Sequence, residues 1–143
     1  MGRRREGNND SRHYFDWLEF ATEDLCAAKI LLDSKQCYES CAFHCQQAIE
    51  KALKGYLIYR TRRHYDGHNL TWLCRQAIGQ DKVFTQWLDE SAQLNRYYIE
   101  TRYPSDSAFE MDMDSVQKVY MTAKEMLDFI CREVYGSVPT AQD

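Results

Sequence analysis

The chain has 143 residues, 44% hydrophobic and 28% charged, which suits one soluble globular domain with a single modest core. Gly and Pro number only six and two and Ile plus Val eleven, which starves hairpins and strands and favours helices. The net charge of −4 hides a basic shoulder, with Lys51, Lys54, Arg60, Arg62 and Arg63 set against Asp66, so the chain is not a general polyanion binder but has one cationic region.

In chain order, residues 1–10 read as a disordered arm, 11–136 as one helical domain and 137–143 as a flexible tail. No apolar run approaches the roughly 18 residues of a membrane span and no apolar stretch follows Arg3-Arg4-Arg5, so a cytoplasmic, reducing setting is expected. Six cysteines there are read as thiols.

Asp10 or Ser11 can cap a first helix from Tyr14 to Leu32, whose apolar stripe of Phe15, Leu18, Leu25, Ala28 and Leu32 is widened by Trp17, Phe20 and Leu31. That width predicts burial on more than one side. "DSK" at 33–35 breaks the pattern, and a second helix follows over about 36–61, with Cys41, Ala42, Cys45, Ala48, Ile49, Ala52, Leu53 and Tyr56 on one face. Gly55 inside it costs about 1 kcal/mol relative to Ala, so it predicts a close helix–helix approach.

"HYDGHN" at 64–69 is a turn, and a short helix runs from Leu70 to Ile78 with Gly79 as its terminator. A fourth helix, capped by Asp81, is expected to continue to about Thr101 through Phe84, Trp87, Leu88, Ser91, Leu94 and Tyr98 and to stop before Pro104. After a loop at 104–111, Asp112 or Asp114 can cap a last helix striped with Val116, Tyr120, Ala123, Met126, Leu127, Ile130 and Val134, closed by Gly136 and Pro139. Four long helices and one short one predict an all-α, antiparallel up-and-down helical bundle.

Cys37, Cys41 and Cys45 recur every four residues beside His44, but no CxxC accompanies them, so they read as small core residues rather than metal ligands. Gln47, Glu50, Lys51 and Lys54 form one polar stripe opposite the cysteine face. It is either a solvated face with a Glu50–Lys54 pair or part of a phosphate site. "NRYYIETRYPSD", residues 95–106, crowds Arg96, Tyr97, Tyr98, Arg102 and Tyr103 at one helix end, suiting an anchor, a dimer seam or a platform for bases and phosphates. The expected nucleotide-binding set is Gln47, Lys51, Lys54, Tyr98, Arg102 and Tyr103, with Arg102 and Tyr98 facing the two lysines across the bundle end or a dimer cleft. Glu50 and Glu100 each neutralise one base in that arrangement and leave cationic excess for phosphate. No cofactor or metal is expected, since no P-loop, dinucleotide fingerprint, HExxH or serine-protease order occurs.

With "FATEDLCAAKILL", "AFHCQQAIEKALKGYLI", "GHNLTWL" and "YYIETRYP" in this order, the chain resembles the HEPN domain family over about residues 12–135. The resemblance implies an antiparallel bundle, a homodimer, association with nucleotides or RNA, and pairing with a small nucleotidyltransferase in a toxin–antitoxin arrangement. Ribonuclease members carry Arg, four to six residues, then His. Arg102 is the counterpart of that arginine, yet positions 107, 108 and 109 are Ser, Ala and Phe. Arg63 and Arg62 do stand at the right spacing before His68, although "GHNL" assigns His68 to the turn. The expected role is therefore binding rather than turnover. A metal-independent ribonuclease using Arg102 or Arg63 with His68, and a non-catalytic dimeric adaptor, are the alternatives.

Overall fold

The computed structural model describes residues 9–98, the backbone of 99 and 100, residue 104, and residues 111–136. Its elements are α1 (Tyr14–Ser34), α2 (Tyr38–Thr61), α3 (Leu70–Gln80), a 3₁₀ segment (Lys82–Trp87), α4 (Leu88–Asn95), α5 (Tyr97–Glu100) and α6 (Met113–Tyr135). No strand occurs among the described residues, so the all-helical bundle is as expected.

Helix α2 is the centre of the bundle, packed by α1, α6 and α3. Its Cys41, Ala42, Cys45, Ala48, Ile49, Ala52, Leu53 and Leu57 are fully buried. The small residues among them let neighbours approach, while each buried Leu or Ile contributes about 1.5–3 kcal/mol relative to exposure. The closest approach is at Gly55, where an added Cβ would stand 3.1 Å from Trp17 Cβ and 3.2 Å from the Tyr14 carbonyl oxygen. Glycine therefore sets the α1–α2 separation, as its position in the sequence predicts.

Several boundaries differ from the sequence reading. Helix α1 begins after His13, with no side-chain cap, and the Ser11 hydroxyl instead donates to Asp16 at 2.6 Å. It buries one face only, through Leu18, Ala21, Leu25, Ala28 and Leu32, while Phe15, Phe20 and Ile30 are exposed, so the widened stripe is not covered on two sides. Gly79 lies inside α3, and the helix ends at Asp81, whose N–H reaches Ala77 O. The terminus needs no left-handed residue because Asp81 is extended there.

The long fourth helix is broken. Asp81 accepts from Val83 N at 3.0 Å and starts a 3₁₀ segment, and the chain breaks again at Arg96, so that among the described residues the long helices are α1, α2 and α6. Phe84 and Trp87 both reach Phe129, at centroid distances of 5.3 and 5.7 Å, and in the 3₁₀ segment these residues three apart lie in line along one face. Asp112 does cap α6, accepting from Ser115 N at 2.8 Å, and Gly136 closes it in the left-handed region at φ 83°. The arm at 1–8, the stretches 101–103 and 105–110 and the tail at 137–143 lie outside the described residues, and with them Arg102, Tyr103 and the positions after Arg102.

Candidate functional site

In the stripe read as either a solvated face or part of a phosphate site, Glu50 and Lys54 are buried and Gln47 and Lys51 half-buried. Glu50 is 5% and Lys54 6% exposed, and Gln46 beside them is fully buried. What covers them is the 64–69 turn and α5 on one side and α1 on the other. Leaving a carboxylate and an ammonium in so little water is costly unless each is paired and hydrogen-bonded. Both conditions hold: Glu50 Oε2 accepts from Lys54 Nζ at 3.1 Å and from His68 Nδ1 at 2.9 Å. Its Oε1 accepts from the Gln46 and Gln47 amides, each at 3.3 Å.

His68 therefore does hold its turn. Its ring is tied to Glu50 and its carbonyl accepts from Gln46 Nε2 at 3.4 Å. Because an ionised carboxylate can only accept, Nδ1 carries the hydrogen, and in the neutral ring Nε2 carries the lone pair. Tyr98, brought in by α5, stacks on this imidazole with centroids 4.4 Å apart and planes 15° from parallel. The same α5 ring approaches Phe43 at 6.2 Å.

The α1 wall repeats the logic. Asp24 accepts from His44 Nδ1 at 2.9 Å and, through its other oxygen, from Lys51 Nζ. Lys51 lies 5.9 Å over the Phe20 ring and Lys54 5.8 Å over the Trp17 ring. An open hollow of about 390 Å³ adjoins this wall, lined by residues including Ser11, Asp16, Trp17, Phe20 and Lys51.

Of the expected binding residues, Gln47, Lys51, Lys54 and Tyr98 are thus brought to one face of α2, flanked by α1 and α5 and termed the α2 groove, with Lys54 and Tyr98 meeting through Glu50 and His68. Arg102 and Tyr103 lie outside the described residues. The two lysines themselves leave no cationic excess, since each has its own carboxylate, Asp24 for Lys51 and Glu50 for Lys54, while Arg102 and the Glu100 side chain lie outside the described residues. Sequence spacing could reveal Glu50, four residues before Lys54, but not Asp24 on another helix. Arg63 is exposed and turned onto Tyr65, 5.8 Å over its ring, and Arg60 ties α2 to α3 through Tyr56 Oη and Gln80 O.

The cysteines hold structure. Cys41, Cys45, Cys74 and Cys131 are buried, whereas Cys26 and Cys37 are exposed, so the reading of Cys37 as a core residue is corrected. The Cys41 thiol donates to Ala28 O at 3.2 Å. Its hydrogen bond with Cys45, reinforced by burial, pushes the Cys45 thiol well above the ordinary range.

A helical bundle with a polar, aromatic-walled groove along its central helix defines the class, and comparison with known proteins gives the family. The HEPN domain model matches residues 14–134, most of the chain, and the chain belongs to that family. It is 30% identical over 98 residues to a curated protein of Methanocaldococcus jannaschii named "Putative toxin MJ1304", covering 62% of this chain. The chain spans about three fifths, 61%, of that relative's length. It also resembles the crystal structure of TT1696 from Thermus thermophilus with a TM-score of 0.75 and 27% identity, over 84% of this chain and 97% of the other.

Proposed function

We propose that this chain is the HEPN component of a toxin–antitoxin pair, that it binds nucleotides or RNA in the α2 groove, and that a small nucleotidyltransferase is its partner. The reading takes the chain as a cytoplasmic homodimer that needs no cofactor. Likeness to a protein named as a toxin supports the coarse part. One observation carries the finer part: the Tyr98–His68 stack, held over the buried Glu50–Lys54 pair. A buried ion pair is weak as a stabiliser, since well-packed apolar residues commonly do as well. Placed under an aromatic shelf at a groove, it instead fixes a ring pair on which a base can stack.

Binding rather than turnover is favoured because no histidine follows Arg102 with four to six residues between them. Without a general acid/base, a contribution of about 10²–10⁴-fold to 2′-hydroxyl attack is lost. A ribonuclease reading draws on one observation of its own: Glu50 binds the His68 ring at Nδ1, 2.9 Å away, a tie that in the neutral ring leaves the lone pair on Nε2, as a general base requires.

Fluorescence anisotropy with a short labelled single-stranded RNA, in chelator and across a salt series, separates the readings. Intact RNA and an affinity that falls with salt are expected. Cleavage that disappears in His68→Ala would establish the ribonuclease instead. Absence of any salt-dependent affinity would leave a structural adaptor.

A further inference from the structure

Two carboxylate-centred clusters lie on the groove, and only one of them is used by the reading above. Asp24 joins His44 and Lys51 just as Glu50 joins His68 and Lys54. In both, the histidine offers Nδ1 to the carboxylate at 2.9 Å. The two imidazoles are also matched in exposure, at 35% and 37% of the side chain. A row of rings connects them. His44 lies 5.9 Å from Phe43, Phe43 lies 6.2 Å from Tyr98, and Tyr98 lies 4.4 Å from His68.

We propose that Asp24, His44 and Lys51 form a second nucleotide subsite, so that the groove takes a single-stranded RNA segment of at least two nucleotides rather than a mononucleotide. This rests on the groove being a nucleotide site. The two imidazoles stand at the two ends of this row, His68 stacked on Tyr98 and His44 edge-on to Phe43, so each can offer a face to a separate base, and stacking of this kind demands no sequence. Each lysine is neutralised by its carboxylate, so recognition rests on stacking and hydrogen bonding more than on charge. With Nδ1–H given to the carboxylate, each neutral imidazole presents Nε2 as an acceptor. An acceptor at both ends of the row suits ribose 2′-hydroxyls, the group that separates RNA from DNA.

The test compares three probes on the full chain by calorimetry or anisotropy: adenosine monophosphate, a single-stranded RNA tetranucleotide, and the DNA tetranucleotide of the same sequence. The RNA tetranucleotide is expected to bind about tenfold or more tightly than the mononucleotide, the scale of one added stacked base. His44→Ala removes that advantage and leaves mononucleotide affinity in place, whereas His68→Ala weakens both. Circular dichroism checks the fold, and His44→Gln serves if the alanine variant does not fold. A purely structural Asp24–His44 tie would lower the melting temperature without changing the ratio of the two affinities. Equal affinity for mononucleotide and tetranucleotide, or a ratio untouched by either His44 variant, overturns the second subsite while the first stands. Equal binding of the DNA overturns the 2′-hydroxyl role. If no probe binds at all, the groove reading itself fails and this inference with it.

Discussion

Tyr98 lies flat on His68, 4.4 Å centroid to centroid, and His68 is in turn held by Glu50 at 2.9 Å. A half-buried phenol is thereby tied to the interior of the bundle through one imidazole and one buried carboxylate. The stack sets one wall of the α2 groove.

Removing Glu50 alone strands Lys54 in a buried position. Glu50→Leu is expected to cost about 3–5 kcal/mol in urea denaturation, with much of that recovered when Lys54→Met is added. Additive losses in the double variant would mean the two side chains do not act as a pair.

Gly55→Ala should destabilise the bundle although alanine is the better helix former by about 1 kcal/mol. The new methyl meets Trp17 Cβ and the Tyr14 carbonyl at 3.1 and 3.2 Å, one of them backbone, so α1 must shift outward. A net loss of about 1–3 kcal/mol is expected, the range for overpacking. A more stable variant would show the α1–α2 contact to be looser than described.

The bundle, the Gly55 contact and a cap at Asp112 or Asp114 were legible in the sequence, because each depends on local chemistry or periodicity, and the HEPN family was legible as a resemblance in four short motifs. Three things were not. The break between Asp81 and Leu88 accompanies packing of Phe84 and Trp87 on Phe129, some forty residues on, which periodicity along the chain does not show. The polar face of α2 looked solvated because periodicity cannot show which neighbour covers it; only the fold brings His68 and α1 over it. The Asp24–Lys51 pair, 27 residues apart, turned an expected cationic stripe into two neutralised clusters.

The backbone N–H of Ser115 bonded to Asp112 holds that carboxyl below its usual range. A depressed carboxylate contributes stability that is present above its unfolded-state value and lost as pH falls through the depressed one. The start of α6 should therefore fray only in strong acid, and Asp112→Asn should flatten that acid limb in a helicity titration by circular dichroism. An unchanged limb would assign it to other carboxylates.

Thiol labelling should divide the cysteines by burial. Cys26 and Cys37 are exposed, while burial pushes Cys131 up to about 11. Iodoacetamide at pH 8 followed by mass spectrometry is expected to modify Cys26 and Cys37 in the native protein and to spare Cys131, since the thiolate is the reactive form. Rapid native labelling of Cys131 would contradict its placement.

Arg102→Ala is expected to weaken nucleotide binding by about 1.5–3 kcal/mol, the scale of a charge-assisted hydrogen bond, with the bundle still folded. Unfolding of that variant would make Arg102 an internal anchor instead.

The affinity of Tyr98→Ala for a short single-stranded RNA, measured beside its melting temperature, tests the groove most directly. Loss of one stacking face should weaken binding by about 1–3 kcal/mol, with the melting temperature little changed because Tyr98 is only half-buried. Undiminished affinity in a folded Tyr98→Ala protein would contradict the assignment of the Tyr98–His68 stack as the binding surface.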